Sequence, residues 1–582
     1  MNERFDSRLR REYNTPRTMN IGLKTSGLEP YAEAIARECD RFDKDNVIPR
    51  IWRRDPTVWK TEDREISNRL GWLEAPADAS RTVAECESFA WEARDAGFSY
   101  ALLLGMGGSS LAPEVFSRIF GPGSDGLGLE VLDSTDPAAV LRYTRMLSDR
   151  ETLFLVSSKS GSTLETSSFM NFYFARNRER LGPERAAASF VAVTDPGSKL
   201  EHEARRLNFR RVFAGNPDIG GRFSVFSPFG LVPAALIGLP IRALLAEANE
   251  AAGACRRLRA AENPGANLGL ILGTLAKQGR DKAVFLLSSS LQSFGAWIEQ
   301  LVAESTGKEG RGILPIVRST GVPLPGATRD RVYIVLGLAG DAALSGEAEA
   351  ARKSGDPVIS MTLEDPLELG AQFYLWEFAT AVAGAVLGIN PFDQPNVALA
   401  KEKTDAVLRA FRNTGTLPVE AASWEEETVV FYGDRREVGL RTCLRRHFEK
   451  IKEGGYAAIQ AFLPPSPEIL EAVRTLAACI ESRTGRPVVF DFGPRFLHST
   501  GQLHKGDAGA GVFLQLTAAR SEDAPIPPSP EGGDAVLTFG NLIDAQAAGD
   551  LQALRDKERA AARLHFKKDP IEGIFRAVER MS

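Results

Sequence analysis

Four short clusters in this chain of 582 residues combine side chains that can hold an anion or move a proton. The run Ser157-Ser158-Lys159-Ser160-Gly161-Ser162-Thr163 places five hydroxyls and one cation between an apolar segment and a helix start. Bare hydroxyls and helix-start amides suit a phosphate monoester, whereas an ordinary N-cap needs a single hydroxyl. The turn Gly105-Met106-Gly107-Gly108-Ser109-Ser110 also follows an apolar run and precedes a helix, so its amides can meet an anion. A dinucleotide site would want a third glycine where Ser110 stands. In Gly220-Gly221-Arg222 the paired glycines would let a guanidinium approach a substrate, although the ordinary fate of an arginine is a surface ion pair. Gln300 and Glu304 stand four residues apart on one face of the apolar helix AWIEQLVAES, which fits either a proton-transfer site or a paired structural carboxylate.

The five histidines are His202, His447, His498, His504 and His565. His498 is set apart by its segment, Arg-Phe-Leu-His-Ser-Thr-Gly-Gln, which follows an apolar strand and contains a turn glycine. His202 and His447 lie in charged helical stretches and are expected on the solvated surface.

The elements that must hold these clusters are legible as short apolar runs alternating with helical stretches. Residues 1 to about 90 read as helical, with an amphipathic run at Glu29–Arg41 and a helix-like stretch at Thr61–Leu73. From Tyr100 come YALLLGMGG, LEVLDSTD, TLFLVSSKSGS, AASFVAVTD and RRVFAG, the rhythm of a doubly wound parallel sheet. A helical bridge over 231–280 leads to KAVFLLSSS, ILPIVRS, RVYIVLGL and DPVISMTL, then the apolar helix Leu369–Leu387. A third series, EEETVVFYG, GYAAIQAFL, RPVVFDFG, GVFLQLT and AVLTFG, ends in the basic amphipathic stretch LRDKERAAARLHFKK. Ser521–Asp534, rich in proline, reads as a surface loop. The expected fold is α/β: an N-terminal helical segment (1–90), a first doubly wound unit (91–235), a bridge and second unit (236–420), and a C-terminal α/β unit carrying His498 (421–582). Ligands of such sheets bind outside the carboxyl ends of the strands.

Bulk properties narrow the partners. The net charge of −5 and pI near 5.9 argue against a nucleic-acid binder. Five cysteines without CxxC spacing fit reduced thiols rather than disulfides or zinc ligation, so a reducing, cytoplasmic setting is expected. No stretch approaches the ~20 apolar residues of a membrane span, and the charged N-terminus lacks a signal-peptide core.

Taken in order, GMGGSSLAPE, SSKSGSTLET, GGRFSVFSPFGL, QLVAESTGK and NPFDQPNVALAK resemble the phosphoglucose isomerase family, built from two sugar-isomerase (SIS) domains, from about Leu102 to Lys401. The resemblance implies aldose–ketose isomerisation of glucose 6-phosphate and fructose 6-phosphate, without metal or nicotinamide cofactor. It implies Ser158, Lys159, Ser160 and Thr163 as phosphate ligands, and Gly108, Ser109, Gly221 and Gln300 as sugar contacts. Glu304 then matches the catalytic base, Arg222 the arginine that steadies the enediolate, and Lys401 the lysine of ring opening. The family's ring-opening histidine normally lies between the Glu and Lys motifs, and this chain has none between Glu304 and Lys401. FLHSTGQ near the C-terminus resembles that segment, so the role falls to His498, supplied by the C-terminal unit. NRLGWLE, GILPIV and this order resemble the isomerase half of bacterial transaldolase/phosphoglucose isomerase fusions; the transaldolase half is absent, and a stand-alone isomerase is expected. A homodimer is the family's habit, but a histidine on a fused unit would also permit a working monomer. Acceptance of mannose 6-phosphate, and a non-catalytic sugar-phosphate sensor, are the alternatives.

Overall fold

The computed structural model describes residues 23–318, 328–417 and 420–581 of the protein. Five apolar runs of the first unit form parallel strands at Tyr100–Gly105, Gly128–Leu132, Thr152–Ser157, Phe190–Thr194 and Arg211–Ala214. Helices cover both faces, which is why Thr152–Ser157 is buried at every position and reads as a continuous apolar run. The chain steps from Tyr100–Gly105 to one neighbour, Gly128–Leu132, and then crosses to the other, Thr152–Ser157. That reversal opens a crevice at the carboxyl ends of the two central strands, where the glycine turn and the hydroxyl loop begin.

Lys282–Leu287, Leu314–Arg318, Arg331–Leu338 and Val358–Leu363 form a second parallel sheet. Its edge is completed by Lys24–Ser26, antiparallel to Val358–Ser360, so the N-terminal segment is not helical throughout. Residues 1–22 of that segment lie outside the described residues. The amphipathic run appears as the helix Ala32–Lys44, but Thr61–Leu73 does not form a helix. It holds only two 3₁₀ turns, Ser67–Arg69 and Gly71–Leu73. Other acceptors take the groups a helix would use: the Ser67 N–H donates to the nearby Asp63 side chain at 2.9 Å, and the Gly71 N–H to the distant Asp218 carbonyl at 2.9 Å.

The helix Leu369–Leu387 is buried on every side. At its middle, Glu377 is 0 % exposed and neither carboxylate oxygen has a hydrogen-bond partner. Burial alone pushes its carboxyl well above the ordinary 4.5. The folded state therefore keeps a proton that the unfolded chain releases above pH 4.5, so this group's stabilising contribution is full below that pH and falls as pH rises, by about 1.4 kcal/mol per pH unit. Glu377→Gln should remove this slope. Urea unfolding of both proteins at pH 6, 7 and 8 should show the variant gaining on the wild type by about that increment per unit; parallel stability curves would mean that Glu377 is ionised in the core.

The third unit holds a six-stranded mixed sheet. Val488–Phe492, Tyr456–Phe462, Gly511–Ala518 and Ala560–Phe566 run parallel in that order, and Val429–Tyr432 and Trp424–Glu425 add antiparallel at the far edge. The basic stretch Leu554–Lys568 is thus split between a helix end and an inner strand. Pairing overrides its alanine-rich composition, and Arg563 donates to Gln515 of the neighbouring strand at 2.8 Å. AVLTFG contributes only Leu537–Thr538, paired with Pro525–Ile526 outside the main sheet. The loop Ser521–Asp534 lies over the first unit: Ala524 and Ile526 enter its core, and Glu531 pairs with Arg206. Tyr456, Phe513 and Leu554 likewise join a core shared with the second sheet. The third unit is fused to both others by shared apolar packing.

Candidate functional site

The site forms where backbone segments from all three units converge on the glycine turn. Gly107–Ser109 is a single 3₁₀ turn after the strand Tyr100–Gly105, and Ser109 is buried. A Cβ on Gly107 would come within 2.9 Å of both the Gln300 amide nitrogen and the His498 carbonyl; one on Gly108 would meet the Gly221 carbonyl at 2.1 Å. Only glycine admits this approach, which seats Gly221–Phe223 and the His498 turn against the first sheet.

Arg222, on that second turn, is no surface arginine: it is 3 % exposed. Its Nε donates to Ser305 Oγ at 2.7 Å, and Nη2 to the carbonyls of Pro391 (2.6 Å) and Asp393 (3.0 Å). Nη1 reaches Gln394 Oε1 at 3.3 Å and Glu304 Oε1 at 3.2 Å. Glu304 and Gln300 share a buried face of the helix Phe294–Thr306. The Gln300 amide donates to Glu304 Oε2 at 3.1 Å and to the His498 carbonyl at 2.7 Å, joining the acid to the third unit. Lys308, two residues past that helix, donates to Asp393 at 2.8 Å. Burial, aided by the charge of Arg222, pushes its ammonium down to about 8.

The hydroxyl loop leads into the helix Leu164–Leu181. The Thr163 side chain does not cap that helix; Ser158 Oγ donates to it at 3.3 Å instead. The first-turn amides are thus left without a side-chain cap, and Ser160 and Ser162 are exposed with their hydroxyls 2.9 Å apart. The Lys159 ammonium is engaged elsewhere, by Asp195 and, at 3.1 Å, the Asn216 carbonyl, so the loop retains this residue's backbone N–H rather than its charge.

His498 comes from the 3₁₀ turn Arg495–His498 that follows the strand Val488–Phe492. Arg495 clamps this turn to the first unit through Glu114 at 2.7 Å and Asp133 at 2.8 Å. Gln502 clamps it to the second, donating to the Gly307 carbonyl at 2.9 Å and accepting from the Asn396 N–H at 2.9 Å. His498 Nε2 lies 3.0 Å from Glu165 Oε1. Burial pushes the Glu165 carboxyl up, but the opposing pulls of His498, a backbone N–H and Lys401 together outweigh it and hold the group below the ordinary 4.5. Lys401 is exposed on the helix Pro395–Thr414, near enough for its charge to favour the ionised Glu165. A cavity of about 920 Å³ lies behind the Arg495 turn, lined by Asp133, Glu299 and Asp491 rather than by Glu304 or His498.

Glu304, Arg222, Gln300, Gly108, Gly221 and His498 are therefore in one network, with Glu165, Gln394 and Lys308 as members that sequence reasoning missed. Glu165 stands inside the motif SSKSGSTLET, but an acid in a first helical turn has an ordinary reason to be there. His447 is the opposite case. Expected on the surface, it is 4 % exposed with Nε2 at 2.9 Å from the Phe513 carbonyl, and burial lowers it to about 4.

Residues 82–313 match the family model described as phosphoglucose isomerase. A glucose-6-phosphate isomerase of Rubrobacter xylanophilus is 31% identical over 416 residues, covering 62% of this chain and 93% of the relative. One from Carboxydothermus hydrogenoformans is 30% identical over 403 residues, covering 60% and 86%. Among solved structures, a hypothetical protein of Thermus thermophilus superposes with TM-score 0.57 at 25% identity, over 66% of this chain and all of the other. A glucose-6-phosphate isomerase of Chlamydia trachomatis shares the fold, with TM-score 0.50 at 20% identity, over 63% and 78%. With relatives at this identity matched over most of their length, and the buried Arg–Glu pair set on SIS-type sheets, the chain belongs to the phosphoglucose isomerase family.

Proposed function

We propose that the protein is a glucose-6-phosphate isomerase, interconverting glucose 6-phosphate and fructose 6-phosphate through a cis-enediolate. The observation that carries this reading is the buried Glu304 carboxylate held between Arg222 and Gln300 and joined through Gln300 to the His498 segment. Glu304 takes the proton from C2 as the C1–C2 double bond forms, and returns it to C1. Arg222 supplies fixed positive charge toward the enediolate oxygens, with its donors already oriented by the Pro391 and Asp393 carbonyls. His498, with Glu165 behind it, and Lys401 move protons at the ring oxygen and the anomeric hydroxyl. Gly108, Ser109, Gly221 and Gln300 contact the sugar. The reaction exchanges no electrons with a partner, so it calls for no nicotinamide, and this reading gives the charge of the enediolate to Arg222 rather than to a metal. One chain supplies the whole set, and the reading admits a working monomer as well as a homodimer. Five free cysteines agree with a cytoplasmic enzyme, and among the described residues no helix is long and apolar enough to cross a membrane.

Glucose 6-phosphate, mannose 6-phosphate and glucosamine 6-phosphate offered to the purified protein test the reading. Conversion of glucose 6-phosphate to the ketose is expected, and turnover of the mannose ester would add a second substrate. No turnover of any of the three would favour a sugar-phosphate sensor.

The phosphate is assigned to Ser158, the Lys159 amide, Ser160 and Thr163 at the uncapped helix start. Hydrogen bonds to a charged group contribute about 1.5–3 kcal/mol each, so removing two with Ser160→Ala and Thr163→Ala should raise KM roughly 10²–10⁴-fold and change kcat little. Reaction of unphosphorylated glucose should be unaffected; an equal loss with both sugars would remove the phosphate assignment.

A further inference from the structure

The Glu165–His498 pair is held from behind by one helix of the third unit, Phe539–Asp556. Phe539 stacks on Phe169 and meets Phe172 edge-on, both on the helix Leu164–Leu181 that carries Glu165 in its first turn. On its other side, Gly549 lies so close to Thr404 of the Lys401 helix that a Cβ would come within 2.6 Å of the hydroxyl. At its middle, Gln546 is 2 % exposed. Its Nε2 donates to Glu165 Oε1 at 2.7 Å, and its Oε1 accepts from the Thr135 hydroxyl at 2.6 Å. One turn on, Asp550 pairs at 2.6 Å with Lys505, seven residues beyond His498, and both groups are almost wholly buried.

We propose that Gln546 is a positioning residue that fixes the tautomer of His498, and that Thr135 fixes Gln546. This rests on the isomerase reading only for its catalytic consequence. The amide can face the carboxylate only with its N–H₂, because a turned amide would set its oxygen against Glu165; Thr135, donating to Oε1, opposes that turn. Glu165 Oε1 then accepts two N–H bonds, from Gln546 and from His498 Nε2. A carboxylate offers no proton, so Nε2 carries the imidazole hydrogen and the neutral ring keeps its lone pair on Nδ1. That nitrogen is then the one left to exchange a proton with substrate. Without the amide, Glu165 has one donor fewer and the imidazole loses a fixed partner. The C-terminal unit thus supplies both the histidine and, from a different helix, the group that orients it.

The test uses the full chain with ¹⁵N-labelled histidine, the His498 signals being assigned by their absence from His498→Ala. At a pH high enough to leave the ring uncharged, the wild type should carry its one ring hydrogen on Nε2. Gln546→Met keeps the length and removes the donor; its His498 signals should move toward a tautomer mixture. With cyclic glucose 6-phosphate its kcat/KM should fall about 10–100-fold, the scale of one hydrogen bond to a charged group. The acid limb of the pH–rate profile should move, and reaction of a four-carbon aldose phosphate, too short to close a stable ring, should change less than about twofold. Thr135→Val, which leaves Gln546 in place but frees its amide to turn, should shift the same signals to a smaller extent and serves if the first variant does not fold. Wild-type His498 signals in the folded variants would overturn the proposal. Shifted signals in a protein without isomerase activity would instead sink the isomerase reading and leave Gln546 as the residue that orients His498.

Discussion

Glu304→Gln is expected to retain sugar-phosphate binding and to lose about 10²–10⁴-fold in turnover, the usual worth of a positioned general base. The substitution conserves volume, and the amide oxygen can still accept from Arg222, which reaches one carboxylate oxygen at 3.2 Å, while the amide N–H₂ takes the place of the oxygen that accepts from Gln300 at 3.1 Å. What it removes is the ability to take a proton from carbon. It also leaves Arg222 without its carboxylate partner at a site 3 % exposed, which makes some loss of thermal stability an expected companion. KM for glucose 6-phosphate should change much less than kcat, because the phosphate loop lies on another helix. Exchange of the C2 proton with solvent reads the step itself; exchange at the wild-type rate in the variant would show that another group is the base.

His498→Ala should produce a loss of similar size, confined to substrates whose ring must be opened. The imidazole moves protons at the ring oxygen, whereas Glu304 acts on an already open chain, so a cyclic substrate should slow about 10²–10⁴-fold and a four-carbon aldose phosphate far less. Equal losses on both substrates would mean that His498 serves the fold rather than the chemistry. The variant also asks which chain supplies the histidine. The His498 carbonyl accepts from Gln300 of its own chain and its ring faces Glu165 of its own chain. Mixing inactive Glu304→Gln with inactive His498→Ala should therefore restore nothing, and recovered activity would mean that the histidine crosses between subunits. Point variants are the sounder route than deletion of the third unit, whose apolar side chains complete the packing of both other sheets.

Most strands were legible because they are apolar runs, many of them closed by Gly, Ser or Asp, and the anion loops because they stand where such runs meet helices. Thr61–Leu73 was not: its composition permits a helix, but the Asp63 side chain and the distant Asn390, Asp218 and Ile219 take its backbone groups instead. The strand Ala560–Phe566 was likewise not singled out within its basic amphipathic stretch, since alanine and arginine are poor strand signals until a sheet offers edges on both sides. In the site, Glu304, Arg222 and His498 could be singled out by motif. Glu165 and Gln546 could not, because what distinguishes them is a meeting of residues 381 positions apart. His447 shows the converse limit: charged neighbours along a helix say nothing of the face turned to the sheet, where it reaches the Phe513 carbonyl.

The central claim, proton transfer by Glu304 within a single-chain isomerase site, is tested most directly by following glucose 6-phosphate by NMR in D₂O with the wild type and Glu304→Gln side by side. The account predicts that the wild type forms fructose 6-phosphate and incorporates deuterium at the carbons between which the proton moves, while the variant binds the sugar phosphate and shows neither within the same time. Ketose formation with deuterium incorporation at equal rates in both proteins, or in neither, would contradict it.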